Sequence, residues 1–296
     1  MSTHAVGGHA ATARSASGTR RSGDGRDRLF RRSVTGVVIA LALLWLVPIA
    51  WALDTSFKAE PDTIKIPVNW AISHFTLSAY STDFSASDIA RWYINSAIVG
   101  VIVTVLTVFA ASMAGYALSR QSFLGKRVLY VVILAGIMIP PQALMVPLFR
   151  EFQAVHAINT YWALILPQVP APIAVFIFKK FFDGQPIELD QAARIDDASW
   201  WTCYRRIALP LARPAVAAVS IFTFVWTWNN FLWPFLAATN QTMMTIPVGL
   251  GTVIPGTGIT NALQMASAVL GALPLVMVFL LGQRQIVEGV AGTGLK

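Results

Sequence analysis

Polar positions in this chain gather in clusters, and six uninterrupted apolar runs separate them: Ser33 to Leu53, Asn95 to Leu118, Val128 to Phe149, Tyr161 to Phe178, Ala215 to Ala238 and Ala262 to Leu281. Each approaches the roughly 20 residues that a helix needs to cross a hydrocarbon core, and none contains Asp, Glu, Lys or Arg. The pattern predicts an all-α, polytopic membrane protein of six transmembrane helices. Proline interrupts several runs, at Pro140 with Pro141, at Pro167, Pro170 and Pro172, and at Pro274. Each removes a helix hydrogen bond, which a bundle tolerates only where neighbouring helices or a wet cavity satisfy the freed carbonyl, so kinks are expected there.

The first run is too long, and lacks the small-residue cleavage site, to be a cleaved leader; it reads as an anchor. Residues 1–32 before it are mostly Gly, Ser, Ala, Thr and Arg, with too little apolar matter for a core, and read as a disordered basic tail. The organisation expected is that tail followed by a six-helix membrane domain over 33–296, with core spans in 95–282 and one long polar loop over 179–213.

Composition agrees. Of 296 residues, 55% are hydrophobic and 12% charged, about half the charged share of a soluble domain. The net charge of +8 raises nucleic-acid binding as a possibility, but the cations alternate with apolar runs rather than lining one solvated face. All but Lys58, Lys65, Arg91 and Arg150 of the 22 Lys and Arg fall in the tail, the loops after the second and fourth runs, and the C-terminus. By the positive-inside rule both termini are cytoplasmic in an inner (plasma) membrane. The lone Cys203 excludes a disulfide framework and a multi-cysteine metal site, and reads as a small apolar filler.

Charge-free spans disfavour an ion-coupled secondary transporter or channel, the alternative reading, because buried ionisable groups usually mark proton and ion pathways. The chain carries no phosphate-cradling loop: Gly125-Lys126 has Arg120 and Arg127 where the motif needs Gly and Ser or Thr. His4, His9, His74 and His156 do not converge with other catalytic groups, so an embedded enzyme is also disfavoured. Energy must come from a partner pulling on the loop over 179–213. There Pro186 suits a first helical turn, Glu188 and Asp190 favour the helix N-terminus, and Gln191 to Ile195 continue the helix. Asp196-Asp197 break it, Ala198 to Ile207 form a second helical turn, and Leu209-Pro210-Leu211 stop it. Ala192, Ala193 and Ala198 leave a low-relief surface for another protein's groove.

The stretch Asp190-Gln191-Ala192-Ala193-Arg194-Ile195-Asp196-Asp197-Ala198, followed by Ile207-Ala208-Leu209-Pro210-Leu211, resembles the EAA loop of binding-protein-dependent ABC importer permeases. Gln191 stands where that family has Glu, which meets the ATPase groove, and Asp197 stands where it has the Gly of a tight turn. Thr55 to Lys58, Phe75 to Leu77, Thr245 to Leu250 and the ending Gln283-Arg284-Gln285-Ile286-Val287-Glu288-Gly289 resemble the sugar-type subfamily of the maltose and sn-glycerol-3-phosphate systems. The resemblance implies a type I importer fold and no catalytic residue, cofactor or metal in this chain. It also implies ATP and Mg held by two partner ATPase subunits, a second homologous permease subunit, an extracytoplasmic solute-binding protein, and contact with membrane lipid. Glu188, Asp190 to Arg194, Asp196 to Ala198, Leu209 and Pro210 would form the ATPase-coupling loop. Gln283, Arg284, Glu288 and Gly289 would approach the ATPase dimer.

Trp226, Trp228, Asn229, Asn230, Phe231 and Trp233 combine aromatic faces with amides, which is what a polyhydroxylated solute needs. Amides at this depth must face a cavity or other helices. Sugar contact and plain interhelical bonding both fit them. The outer segment 54–94 reads as a docking surface or a capping loop, and the charge-free segment 239–261 as flexible.

Overall fold

The computed structural model of the protein describes residues 23–65, 70, 74–86, 88–253 and 261–291. Two compact units are present, Met1–Trp51 and Ala52–Lys296. In chain order the helices are α1 (Gly23–Ser56), α2 (Glu60–Thr63), α3 (Ser78–Ala86), α4 (Ile89–Arg120), α5 (Lys126–Ala135), α6 (Pro141–Ala154), α7 (Tyr161–Ile165), α8 (Pro172–Asp183) and α9 (Ile187–Ile195). They continue with α10 (Trp200–Cys203), a π turn over Tyr204–Ala208, α11 (Leu209–Leu211), α12 (Arg213–Trp228), α13 (Leu232–Ala237), α14 (Ile246–Val253) and α15 (Asn261–Ala291). The all-α expectation holds among the described residues, where Lys58 and Phe75 form an isolated β-bridge.

The first unit is the apolar helix α1, which begins at Gly23 rather than at Ser33. Residues 1–22 of the expected tail lie outside the described residues.

Among the described residues, α1, α4 and α15 are each long and apolar enough to cross a membrane, and three bent pairs bring the number to six. Counted with each bent pair as one span the total is six, and each of the six apolar runs carries one of them, though the fifth is paired here with the polar segment Trp200–Leu211. α5 with its 3-10 extension meets α6 at 97°, α7 with its extension meets α8 at 47°, and the segment Trp200–Leu211 meets α12 at 77°. The first break falls at Pro140-Pro141 and the second at Pro167 to Pro172, where kinks were expected. The helix before α12 stops at Leu211, as Leu209-Pro210-Leu211 led us to expect, with the turn at Ala212. One expectation fails here: the run Ala215 to Ala238 is not one span, since α12 stops at Asn229 and α13 begins after Phe231.

Freed carbonyls find donors on neighbouring helices. Pro167 has no N–H for Ala163, and the Trp233 indole donates to the Ala163 oxygen instead, at 2.8 Å. In the same break Thr107 Oγ1 donates to Val169 O at 3.0 Å, and Gln168 Nε2 to Leu164 O at 2.7 Å. α15 runs through Pro274 without a break, against expectation. The Leu270 carbonyl that Pro274 frees accepts from Tyr93 OH, and the next carbonyl, Gly271 O, from Trp228 Nε1 at 3.2 Å.

α4 is the centre of the second unit and packs on α7, α8, α12 and α14. Gly115 permits close approach of α8: a Cβ there would stand 2.7 Å from Phe178 Cβ and 2.8 Å from Lys179 N. One end of α4 packs with Phe178, Phe182, Cys203 and Tyr204, where Cys203 is the buried filler expected. Its other end packs Ile89 and Trp92 with Trp228, Ile246 and Leu270.

Segment 239–253 is ordered, contrary to the flexibility its composition suggests, because α4 holds its backbone. Asn95 Nδ2 donates to Thr242 O and Met244 O at 2.9 and 2.8 Å, and Trp92 Nε1 donates to Gln241 O at 2.8 Å. Ile246 N donates to Ser96 Oγ at 2.8 Å. Residues 254–260 lie outside the described residues. At the far side of that gap the Glu60 carboxylate accepts from the backbone amides of Asn261 and Ala262, at 2.6 and 3.0 Å, and so caps α15.

Gly249 completes this packing, since a Cβ there would lie 2.2 Å from ring atoms of the fully buried Trp92. Gly249→Ala should therefore destabilise the protein by about 1–3 kcal/mol. Gly251→Ala, with nothing within 4 Å, should not. Thermal unfolding of the two variants in detergent distinguishes them.

Candidate functional site

α9 begins at Pro186, which occupies the N-cap rather than the first turn, and Glu188 and Asp190 place two carboxylates at its positive end. Asp190 is the buried residue of this helix, 5% exposed. Its Oδ2 lies 2.9 Å from Arg120 Nε at the end of α4, and its Oδ1 accepts from Tyr116 OH at 3.2 Å. The Nε contact is a charge pair off the hydrogen-bond axis, while Arg120 Nη2 donates to Gln185 O at 2.8 Å, just before α9. Removing one member of such a buried pair costs about 3–5 kcal/mol, because the other charge is left alone. Ser119 Oγ donates to Asp183 Oδ1 at 2.8 Å, and Lys179 pairs with the other oxygen of that carboxylate at 2.7 Å.

The far end of α9 closes on a Schellman turn. Asp197 has φ 55°, Ala198 N donates to Ala193 O at 3.0 Å, and Asp197 N donates to Arg194 O at 3.2 Å. Aspartate tolerates this left-handed position better than most residues, though less well than glycine. Ser199 then caps α10, accepting from Thr202 N at 3.2 Å, and the Arg194 guanidinium stacks 4.2 Å above the Trp200 ring.

Of the small residues expected on the surface, Ala192 is exposed beside Gln191, whereas Ala193 and Ala198 pack against the core. Ile195, 84% exposed, and the exposed Ile187, Leu189, Trp201 and Leu211 add apolar relief instead. Leu209 is half-buried and Pro210 exposed, while Asp196, at the C-cap, faces solvent.

The second candidate region is a recess of about 620 Å³ between α6, α12 and the two helix breaks, with Gln142, Gln168, Trp226, Asn229, Asn230 and Phe231 in its wall. That volume lies within the roughly 300–1,000 Å³ of ligand pockets. Asn230, in the break after α12, donates through Nδ2 to Gln168 Oε1, in the break before α8, at 2.7 Å. Asn229 donates back to Val225 O at 2.9 Å. Trp226 is exposed and stacked on Phe222, and Phe231 on Phe235. Trp233 is buried in the wall through its bond to Ala163. Trp228 stands apart, buried against Phe224 and Tyr93.

The sequence reading missed Gln168, Gln142, Arg120 and Tyr116. Gln168 had a signal, as a lone amide between two prolines in an apolar run, the kind of interrupted helix that marks transporter sites. At the C-terminus, Gln283 is exposed, while the side chains of Arg284, Glu288 and Gly289 lie outside the described residues although α15 runs past them.

Residues 106–290 match the family model described as the binding-protein-dependent transport system inner membrane component. The chain belongs to that family. This permease is a multi-pass inner-membrane protein. It is 32% identical to the arabinooligosaccharides transport system permease protein AraQ of Bacillus subtilis, over 90% of this chain and 96% of that one. It is 31% identical to the diacetylchitobiose uptake system permease protein NgcG of Streptomyces coelicolor, over 92% and 91%. Identity to the trehalose/maltose transport system permease protein MalG of Thermococcus litoralis is 32%, over 92% and 99%. The fold matches a crystal structure of a bacterial ABC transporter involved in the import of alginate, with TM-score 0.78 at 18% identity over 91% of this chain and 99% of that one. The permease thus has the type I importer fold expected.

The left-handed residue gives a local test. Asp197→Val should weaken the turn by about 1–2 kcal/mol, raising hydrogen exchange at the Ala198 amide about tenfold or more. Asp197→Gly should leave it as protected as in the wild type.

Proposed function

We propose that this permease is one membrane subunit of an ATP-driven importer of an oligosaccharide or related polyol. It pairs with a second homologous permease, rests on two ATPase subunits that bind ATP and Mg, and receives solute from an extracytoplasmic binding protein. The observation that carries this reading is α9, a short helix clasped by one buried carboxylate while Gln191, Ala192, Arg194 and Ile195 stay exposed. An exposed helix fixed to the spans at one end suits a partner that must pull on them. The names of the relatives support the solute class, and the recess supplies amides and stacked aromatics suited to sugar hydroxyls and CH faces.

The basic loops set α9 and both termini on the cytoplasmic side. Segments 54–94 and 239–261 then face outward, towards the binding protein. ATP closes the ATPase pair, α9 moves with the groove that grips it, and the broken spans rock so that the recess opens outward to the docked solute. The end of α15, from Gln283 to Gly289, would reach towards the ATPase dimer. No group of this chain does covalent chemistry.

Replacing Ala192 by Arg puts a long charged side chain on the exposed face of α9 without touching the core. The variant should insert into the membrane at wild-type levels and lose co-purification of the ATPase together with solute uptake. Normal assembly and uptake by Ala192→Arg would refute the assigned contact.

A further inference from the structure

We infer that the Arg120–Asp190 pair makes α4 the transmission rod of the importer, joining the coupling helix to the outward segment Gln241–Gly249; the inference rests on the function proposed above. Asp190 is the side chain by which α9 is buried, and its polar partners, Arg120 and Tyr116, are one turn apart on α4. Arg120 also holds Gln185 O, so one guanidinium grips the chain on both sides of Pro186. The opposite end of α9 carries the exposed Ile195 and ends in the Schellman turn. Ala193 packs on the core beside it, and the polar, directional part of the attachment, through which a load on the exposed face reaches α4, is at Asp190.

α4 is built to carry it. The helix has 32 residues, about 48 Å of unbroken rise, and no proline, whereas the helices α5 to α13 that follow it are short or bent in pairs. Its first turns hold the far segment through Trp92, Asn95 and Ser96, which bond the backbone at Gln241, Thr242, Met244 and Ile246. Helices α8 and α12 pack along its length and keep it aligned. Arg120, Asp190 and Tyr116 are positioning residues, since the spacing along α4 puts them far from the recess side chains.

The test uses the complete complex, reconstituted in proteoliposomes with its binding protein. The probe is whichever of arabino-, malto- and chito-oligosaccharides the wild-type complex takes up, and the reading is solute moved per ATP hydrolysed. Arg120→Gln and Asp190→Asn should assemble with the ATPase and hydrolyse ATP, yet move at least tenfold less solute per ATP. Arg120→Lys keeps the charge and should retain most of the coupling. The double variant Arg120→Gln with Asp190→Asn leaves no lone buried charge, so it should assemble even where a single variant does not, and remain uncoupled. An unchanged ratio in the assembled variants overturns the inference. So does a loss of uptake that only follows loss of ATPase binding in every variant, which would make the pair a structural clamp. A wild-type complex that moves neither these solutes nor any other oligosaccharide or polyol its binding protein retains, with ATP supplied, refutes the importer reading itself, and the inference with it.

Discussion

A carbonyl freed by proline inside a membrane has no water to turn to, and an unsatisfied polar group there costs several kcal/mol. That constraint shapes most of this structure. The chain places prolines at three depths of its apolar runs, and at two of them, Pro167 to Pro172 and Pro274, donors on other helices reach the carbonyls. Trp233 serves Ala163, Thr107 serves Val169, and Tyr93 and Trp228 serve the turn before Pro274. Aromatic residues that composition would place in an interfacial belt are therefore spent on backbone satisfaction. Trp228 shows the consequence: it belongs to the core, while its neighbour Trp226 faces the recess.

Broken helices need an unbroken one to lean on. α4 contains no proline, and its glycines and small residues let α8 and α12 approach closely, so two of the bent pairs are packed on one unbroken helix. The Gln168–Asn230 bond ties two of the breaks to each other in the recess wall. Any motion that separates α8 from α12 must exchange that bond for another partner, and a polyol hydroxyl offers the same donor and acceptor chemistry.

Hydropathy revealed the number of spans because twenty apolar residues without a charge have few other stable uses in a cell. It did not reveal which spans bend, because a proline's effect depends on its neighbours: Pro274 leaves α15 continuous, whereas Pro140 and Pro141 accompany a 97° turn. The helix and turn of the loop over 179–213 were legible from local chemistry, including the left-handed position of Asp197. Its anchor was not. Arg120 and Asp190 are 70 residues apart, and in the sequence each looks like an ordinary loop charge, so only their joint burial gives them meaning. Segment 239–253 misled for the same reason. Its Gly and Thr content resembles a mobile loop, but its order comes from Asn95 and Trp92 on another helix.

The two departures from the family's loop motif can be weighed by where they sit. Gln191 is exposed, and a solvent-exposed ion pair contributes about 0–1 kcal/mol, so an amide in place of a carboxylate removes little from a contact made there. The most exposed apolar side chain there is Ile195, at 84% exposure, and Leu189 and Trp201 are exposed as well. At roughly 25 cal/mol per Å² of apolar surface, covering those three residues outweighs the lost charge. In the proposed contact the grip is therefore hydrophobic, and it is largely insensitive to salt. Asp197 affects the grip less directly, since the turn it sets fixes the angle at which α9 presents that apolar end.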